Sequence, residues 1–269
     1  MTAAFAGLLD DAAGFPPTNA PVPAAVRAHR RHHEAWYATL VGPFVFPAVA
    51  LSTALVQVLD GRPLDVSLIV RRSVVAGPLG RAAELGLRVK ALEIMPDGDV
   101  KDLVPMLDAE LPPDMLGYVE VPRGPGLAAA LDALAGTRYR AKFRTGGTEP
   151  AAHPSEPELA AALLAAISRG ITFKCTAGLH HAARHTDGDL EQHGFLNVLL
   201  ATASAQDGAT AQDLEDILAE RQAVTLAGTL SARGAERIAR ARESFASFGT
   251  CSIDEPVADL VALGLLEEP

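Results

Sequence analysis

The sequence predicts a (β/α)8 barrel of the TIM type. Its 269 residues match the roughly 250 that one eight-stranded parallel barrel takes. Short apolar segments alternate with helical patterns along the whole chain, and eight candidate strands can be counted. The clearest pair lies in Arg138–Gly178, where two strand-like segments flank a helical interval and each runs out into glycine. Two strands joined through a helix make a parallel βαβ unit, whose outer faces pack on helices and whose inner face turns into a barrel or a cleft. An open doubly wound sheet is the alternative architecture.

The elements follow in order. Ala4–Asp11 is a short apolar run with acids at its tip, read as the first strand, with a short amphipathic helix as the alternative. Gly14-Phe15-Pro16-Pro17 ends it. Ala24–Leu40 is helical, with a basic face of Arg27, Arg30, Arg31 and His32, and its histidines His29, His32 and His33 are expected in solvent. Pro43–Pro47 is a short buried strand, followed by an apolar helix through Leu59 and a turn at Asp60–Pro63. Asp65–Val70 is the third strand. Pro78–Leu85 is a helix that Gly86 ends. Leu87–Met95 is the fourth strand, and the acids of Pro96–Asp99 suit the start of the next helix. Met115–Val121 is the fifth strand and Gly124–Leu134 a helix. The sixth strand (139–145), the helix Glu156–Ser168 and the seventh strand (171–177) complete the βαβ unit. A His-rich segment, Leu179–Gly194, then leads into helices over Phe195–Ala205, Ala211–Arg221 and about Ala232–Phe245. Phe248–Ile253 is the last strand and Pro256–Leu265 the closing helix. One domain, 1–269, is expected, with 179–245 an elaborated helical connection before the last strand.

Composition narrows the function classes. Hydrophobic residues make up 49% of the chain, enough for a sizeable core. A net charge of -10 disfavours nucleic acid and anionic membranes as partners, while leaving room for a local cationic pocket. No apolar run reaches the roughly 18 residues of a membrane span. Two cysteines imply no disulfide framework, and Met1–Asp11 has no basic region, so a cytoplasmic protein is expected. Homo-oligomerisation is left open.

In a parallel barrel the active site lies at the C-terminal ends of the strands. Alternation puts Glu93 on one face with Val89 and Ala91, Glu120 with Tyr118, Lys142 with Arg144, and Lys174 with Thr176. Thr250 and Ser252 stand late in the last strand, and Asp10 or Asp11 at the tip of the first, with Asp11 taken as the site residue. Consecutive strands thus supply Glu, Glu, Lys/Arg and Lys at comparable depth. An isolated structural ion-pair network is the alternative reading. The loops Arg144–Gly147, Cys175–His181 (with Gly178) and Phe248–Ser252 offer backbone N–H groups for a phosphate or carboxylate. His180 or His181 is expected as an acid/base or an anion contact, with a transition-metal site among His180, His181, His185 and His193, or plain loop residues, as the alternatives. Cys175 falls on the outward, apolar face. The ligand class is a small anionic metabolite, and no cofactor is expected, although a divalent metal on Glu93, Glu120 and Asp11 would suit enolase-type chemistry.

The segment Phe173-Lys174-Cys175-Thr176-Ala177-Gly178 resembles the Lys-Thr-x-Thr-Gly strand of deoxyribose-phosphate aldolases, in which the lysine forms a Schiff base on a barrel strand. The resemblance implies a lyase or isomerase working beside a carbonyl, with Lys174 as nucleophile. Lys142 and Arg144 would lower its pKa or hold the substrate's anion, and Glu93 or Glu120 would move protons. As a whole, the chain resembles a family of bacterial proteins of unknown function that share segments similar to Asp10–Ala13, Lys142–Gly147, Phe173–His181, His193–Asn197 and Phe248–Pro256. That second resemblance implies no catalytic assignment. A non-catalytic anion-binding barrel remains the opposite reading.

Overall fold

A computed structural model describes residues 2–52, 54–72 and 76–269. Eight parallel strands close into a barrel: β1 (Leu9–Asp11), β2 (Val41–Pro47), β3 (Leu64–Arg71), β4 (Leu87–Met95), β5 (Leu116–Glu120), β6 (Arg140–Arg144), β7 (Phe173–Thr176) and β10 (Phe245–Thr250). Each pairs with its neighbour in chain order, and β10 closes the ring against both β7 and β1. The expected (β/α)8 architecture is therefore the observed one, and the open sheet is excluded.

Helices α1 (Val22–Glu34), α2 (Ala54–Leu59), α3 (Ala76–Glu84), α4 (Val100–Glu110), α5 (Leu127–Leu134) and α6 (Glu156–Ser168) connect the first seven strands. Their starts obey simple capping chemistry. Asp99 accepts from the Lys101 amide at 3.1 Å to open α4, and Ser155 with Glu158 forms a full capping box on α6. The connection from β7 to β10 carries a small antiparallel hairpin, β8 (His185–Asp187) with β9 (Leu190–Gln192), inside the His-rich segment. Four helices follow it: α7 (Phe195–Gln206), α8 (Ala211–Ala219), α9 (Ala223–Arg233) and α10 (Ala235–Ser244). The chain closes with α11 (Asp254–Ala262). Ten residues of α7 are buried, Phe195 to Ser204 without a break. A helix apolar all round must be covered on every side, and α7 packs on α6, α8, α9, α10 and β10. The inserted helices are thus a second shell over α7. No described helix is long and apolar enough to cross a membrane.

Several boundaries differ from the sequence reading. The first strand is only Leu9–Asp11, preceded by a 3-10 turn at Thr2–Phe5. The last strand begins at Phe245 rather than Phe248, because Phe173 and Phe245 stack with centroids 5.5 Å apart and Phe195 and Phe248 at 5.4 Å. Those contacts pin the outer face of β10 to β7 and α7. Helix α9 and the hairpin β8–β9 were not expected.

Residues paired across parallel strands share a face. The helix-facing side therefore holds Phe44, Val66, Leu92, Val119, Ala141, Cys175 and Phe248, an apolar belt interrupted at β1 by Asp11. The inward side holds Asp10, Ser67, Glu93, Tyr118, Glu120, Lys142, Lys174 and Ser247. Apolar packing outside and ionic pairing inside divide the barrel wall.

Gly194, ahead of α7, shows how tightly the insertion is docked. A Cβ there would lie 2.4 Å from the Ala182 carbonyl oxygen and from Ala183 backbone carbons. Gly194→Ala should therefore lower stability by about 3 kcal/mol, as overpacking against backbone does. Urea denaturation measures this, and an unchanged midpoint would mean the His-rich segment can shift aside freely.

Candidate active site

A continuous file of alternating charges crosses the barrel interior. Lys174 Nζ donates to Asp10 Oδ2 and to Glu93 Oε1, each at 2.6 Å. Glu93 Oε2 is 3.3 Å from Lys142 Nζ. Lys142 Nζ is 2.9 Å from Glu120 Oε2, and Glu120 Oε1 is 3.6 Å from Arg144 Nε. The order is Asp10, Lys174, Glu93, Lys142, Glu120, Arg144: three anions and three cations in strict alternation. Asp10, Lys174, Glu93 and Lys142 are buried, Glu120 is half-buried, and Arg144 is exposed at the mouth. The file thus runs from the dry interior to solvent.

Each member is held by a neighbouring strand. Ser247 on β10 donates to Asp10 Oδ2 at 2.7 Å, and Ser67 on β3 donates to Glu93 Oε1 at 2.9 Å. The Tyr118 ring lies 5.5 Å from Lys174 Nζ, so the third side of the ammonium meets an aromatic face. Tyr118 in turn accepts from Arg140 at 2.9 Å. Space for Asp10 is made by Gly42 on β2: a Cβ there would stand 2.2 Å from Asp10 Oδ1.

Burial works against the carboxyls of this file and against Lys174, and pairing offsets it at all of them but Asp10. Burial pushes the Glu93 carboxyl up, but Lys174 and Lys142 more than offset it and hold it at about 2. Glu120 is likewise pushed up by burial and pulled below its ordinary value by Lys142 and Arg144. For Asp10 burial wins over Lys174 and Ser247, and its carboxyl sits above the usual carboxylate range. Burial pulls the Lys174 ammonium down, but Asp10 and Glu93 raise it further, and the net direction is up. The expectation that Lys142 and Arg144 depress Lys174 is thus overturned, because Glu93 lies between the two lysines.

The mouth is shaped by close backbone contacts. A Cβ on Gly146 would meet Gly178 Cα at 2.9 Å, so the turns after β6 and β7 touch backbone to backbone. Ala177 and Gly178 both have positive φ (62° and 85°), and Thr145 Oγ1 donates to the Ala177 carbonyl at 2.5 Å, which fixes the turn. Thr176 pairs with Arg144 and Gly249 on the inward face, just above Lys174. Next to it, a cavity of about 490 Å³ lies between the ends of β4 and β5 and helices α4 and α5, lined by Met95, Pro96, Val100, Glu120, Val121 and Pro122. Glu120 is where the charge file touches this cavity.

The sequence-predicted residues fall into two groups. Glu93, Glu120, Lys142, Arg144, Lys174 and Thr176 share the inward face. Asp11, Thr250 and Ser252 do not join them. Asp11 pairs in register with Thr250 on the helix-facing side, and its carboxylate lies 3.0 Å from the buried His29 Nδ1. His29 is therefore a core residue rather than a solvated one. Thr250 and Ser252 hydrogen-bond each other and the Glu255 amide, tying β10 to α11. The carboxylate that β1 sends inward is Asp10. His181 is held by Asp259 at 3.2 Å, and His180 lies between Glu255 and Cys251. Ser67 and Ser247 were missed, although a lone serine in the apolar run Leu64–Arg71 was a readable sign.

A divalent metal does not fit this arrangement. Lys142 Nζ occupies the space between Glu93 and Glu120 where a cation would bind, and Asp11 faces the other way. Among the described residues no group of three His, Cys, Asp or Glu is placed to hold a metal ion.

Removing Glu93 strands two buried lysines. Glu93→Gln should destabilise the protein by about 3–5 kcal/mol at neutral pH. A carboxyl depressed in the folded state contributes stability above its unfolded value and loses it as pH falls through the folded one. Stability should therefore drop between pH 4.5 and about 2, and the Gln variant should flatten that part of the profile. Chemical denaturation across this pH range checks both; a parallel profile in the variant contradicts the pairing.

No family model matches the sequence, and no curated protein matches it closely. Among solved structures, the crystal structure of RipC from Yersinia pestis is similar to this chain, with a TM-score of 0.38 and 12% identity over 81% of this chain and 92% of that one. A likeness of that degree carries no functional argument, and the fold rests on the strand order itself.

Proposed function

We propose that the chain is an enzyme, a lyase or isomerase acting on a small anionic carbonyl compound at the C-terminal mouth of the barrel. The observation that carries this reading is Lys174, held between two carboxylates whose environments differ. Glu93 stays ionised through its two lysines, whereas burial lifts the Asp10 carboxyl. Pairs of groups pushed apart in this way divide acid and base roles. Asp10 is the partner suited to take the Lys174 proton as a carbonyl arrives.

The freed amine then adds to the carbonyl carbon. A C–N bond forms, the carbonyl oxygen is protonated and leaves as water, and an imine remains. Protonated, it draws electrons from a neighbouring C–H or C–C bond, which is the step a lyase or isomerase needs. Arg144 at the mouth meets the substrate's carboxylate or phosphate. Glu120, between Arg144 and Lys142 and facing the cavity, moves the substrate proton. The Phe173–Gly178 resemblance to aldolase strands supports the same reading.

One observation favours the non-catalytic reading: both buried lysines are already saturated with carboxylates. Borohydride separates the two. The protein is incubated with a pool of small anionic carbonyl compounds and reduced, and a single adduct on Lys174 is expected. Lys174→Arg keeps the ion pairs and should abolish the adduct, with turnover down by about 10²–10⁴-fold. Ligand-induced thermal stabilisation with neither adduct nor product marks a binding protein. An adduct that survives Lys174→Arg moves the nucleophile, with Lys142 the first candidate.

A further inference from the structure

Cys251 follows β10 directly, and its Sγ lies 3.6 Å from His180 Nδ1 and 3.9 Å from His180 Nε2. His180 Nδ1 is in turn 3.2 Å from Glu255 Oε2. These three groups come from the turn after β7, the loop after β10 and the first turn of α11. A nucleophile, a base beside it and a carboxylate beside the base thus meet at the barrel end where β7 and β10 finish, with His180 brought from 71 residues away to Cys251 and Glu255, which are near neighbours in the chain.

Electrostatics agrees with this geometry. Burial pushes the Cys251 thiol up, but hydrogen bonds from His180 and Thr18 and the charge of His180 bring it below the usual thiol value. Burial pulls His180 down, and Cys251 and Glu255 more than offset that. Glu255 is the carboxylate facing His180. The adjacent His181 is taken by Asp259 at 3.2 Å and meets His185 edge-on at 4.7 Å. The other cysteine, Cys175, supplies an internal contrast. Cys251 is itself buried, at 6% exposure, whereas Cys175 is completely buried on the helix-facing side, and burial pushes its thiol up.

We propose that Cys251 is a nucleophilic thiol, with His180 as its proton partner and Glu255 orienting His180, and that the reagents it takes are small hydroperoxides. Its thiolate sulfur attacks one peroxide oxygen. The S–O bond forms at the terminal oxygen as the O–O bond breaks, and the departing alkoxide (hydroxide from hydrogen peroxide) takes the electron pair and the imidazolium proton to leave as an alcohol or water. Sulfur is oxidised to a sulfenic acid and the peroxide is reduced. The step uses no group from the Lys174 file, so it stands or falls independently of the imine chemistry.

The test exposes the native protein to hydrogen peroxide at pH 7 with dimedone, which traps sulfenic acids, and maps the adducts by peptide mass. The expected result is an adduct on Cys251 and none on Cys175. The rate should rise with pH to a midpoint below the ordinary thiol value of about 8.5. His180→Asn should slow trapping at pH 7 roughly 10-fold, the effect of one pKa unit. Glu255→Gln, which removes an exposed carboxylate, should slow it less. Lys174→Arg should leave it unchanged. The proposal is overturned if Cys251 in the native protein reacts no faster than free cysteine, or if His180→Asn, folded by circular dichroism, reacts at the parent rate. Should His180→Asn not fold, an unslowed Glu255→Gln together with an ordinary pH midpoint overturns it equally.

Discussion

A charge inside a protein must meet its opposite, because the interior has too little polarisability to replace water. This barrel obeys that constraint by writing its interior as an alternating file. Every cation in the file except the outermost touches two anions, and every anion except the innermost touches two cations. The strand register makes this arrangement available. Lys142 and Lys174 are direct partners across β6 and β7, which would be repulsive alone. Glu93, reaching in from β4, separates them. The apolar outer belt, the glycine beside Asp10 and the serines at both acids all serve the same arrangement.

Such a file also sorts its members by environment. The inner end is dry and fixed, with serine hydroxyls and an aromatic ring completing the coordination. The outer end is wet and adjoins a cavity. The mouth is linked to Lys174 through a continuous series of ion pairs.

The fold was legible because it rests on period and length. Leu87–Met95 and Glu156–Ser168 have the observed boundaries, and the charged positions of β4 to β7 were in phase. What could not be read is where alternation is broken. Irregularities in register lie between Leu9 and Asp11 against β2, between Val66 and Ser67 against β4, and between Phe245 and Ser247 against β7. Each changes which residues face inward. Thr250 was assigned inward although the alternation of Phe248–Thr250, regular in the structure, puts it on the outward face with Phe248. For Asp10 and Asp11 the deciding contact is His29, 18 residues away on another element. The strands of the hairpin β8–β9 have only three residues each, too short for a periodic signal.

The barrel has one unusually short stave. β1 contributes Leu9, Asp10 and Asp11 only, yet it alone joins β10 to β2. Few ladder hydrogen bonds hold that seam, so amide protons around Leu9–Asp11 should exchange sooner than those of β3 or β4, whose ladder runs the length of both strands. The central residue of the seam is Asp10. Breathing at this joint would let water reach the Asp10–Lys174 pair from the side, a route to the deepest charges that does not pass through the mouth at all.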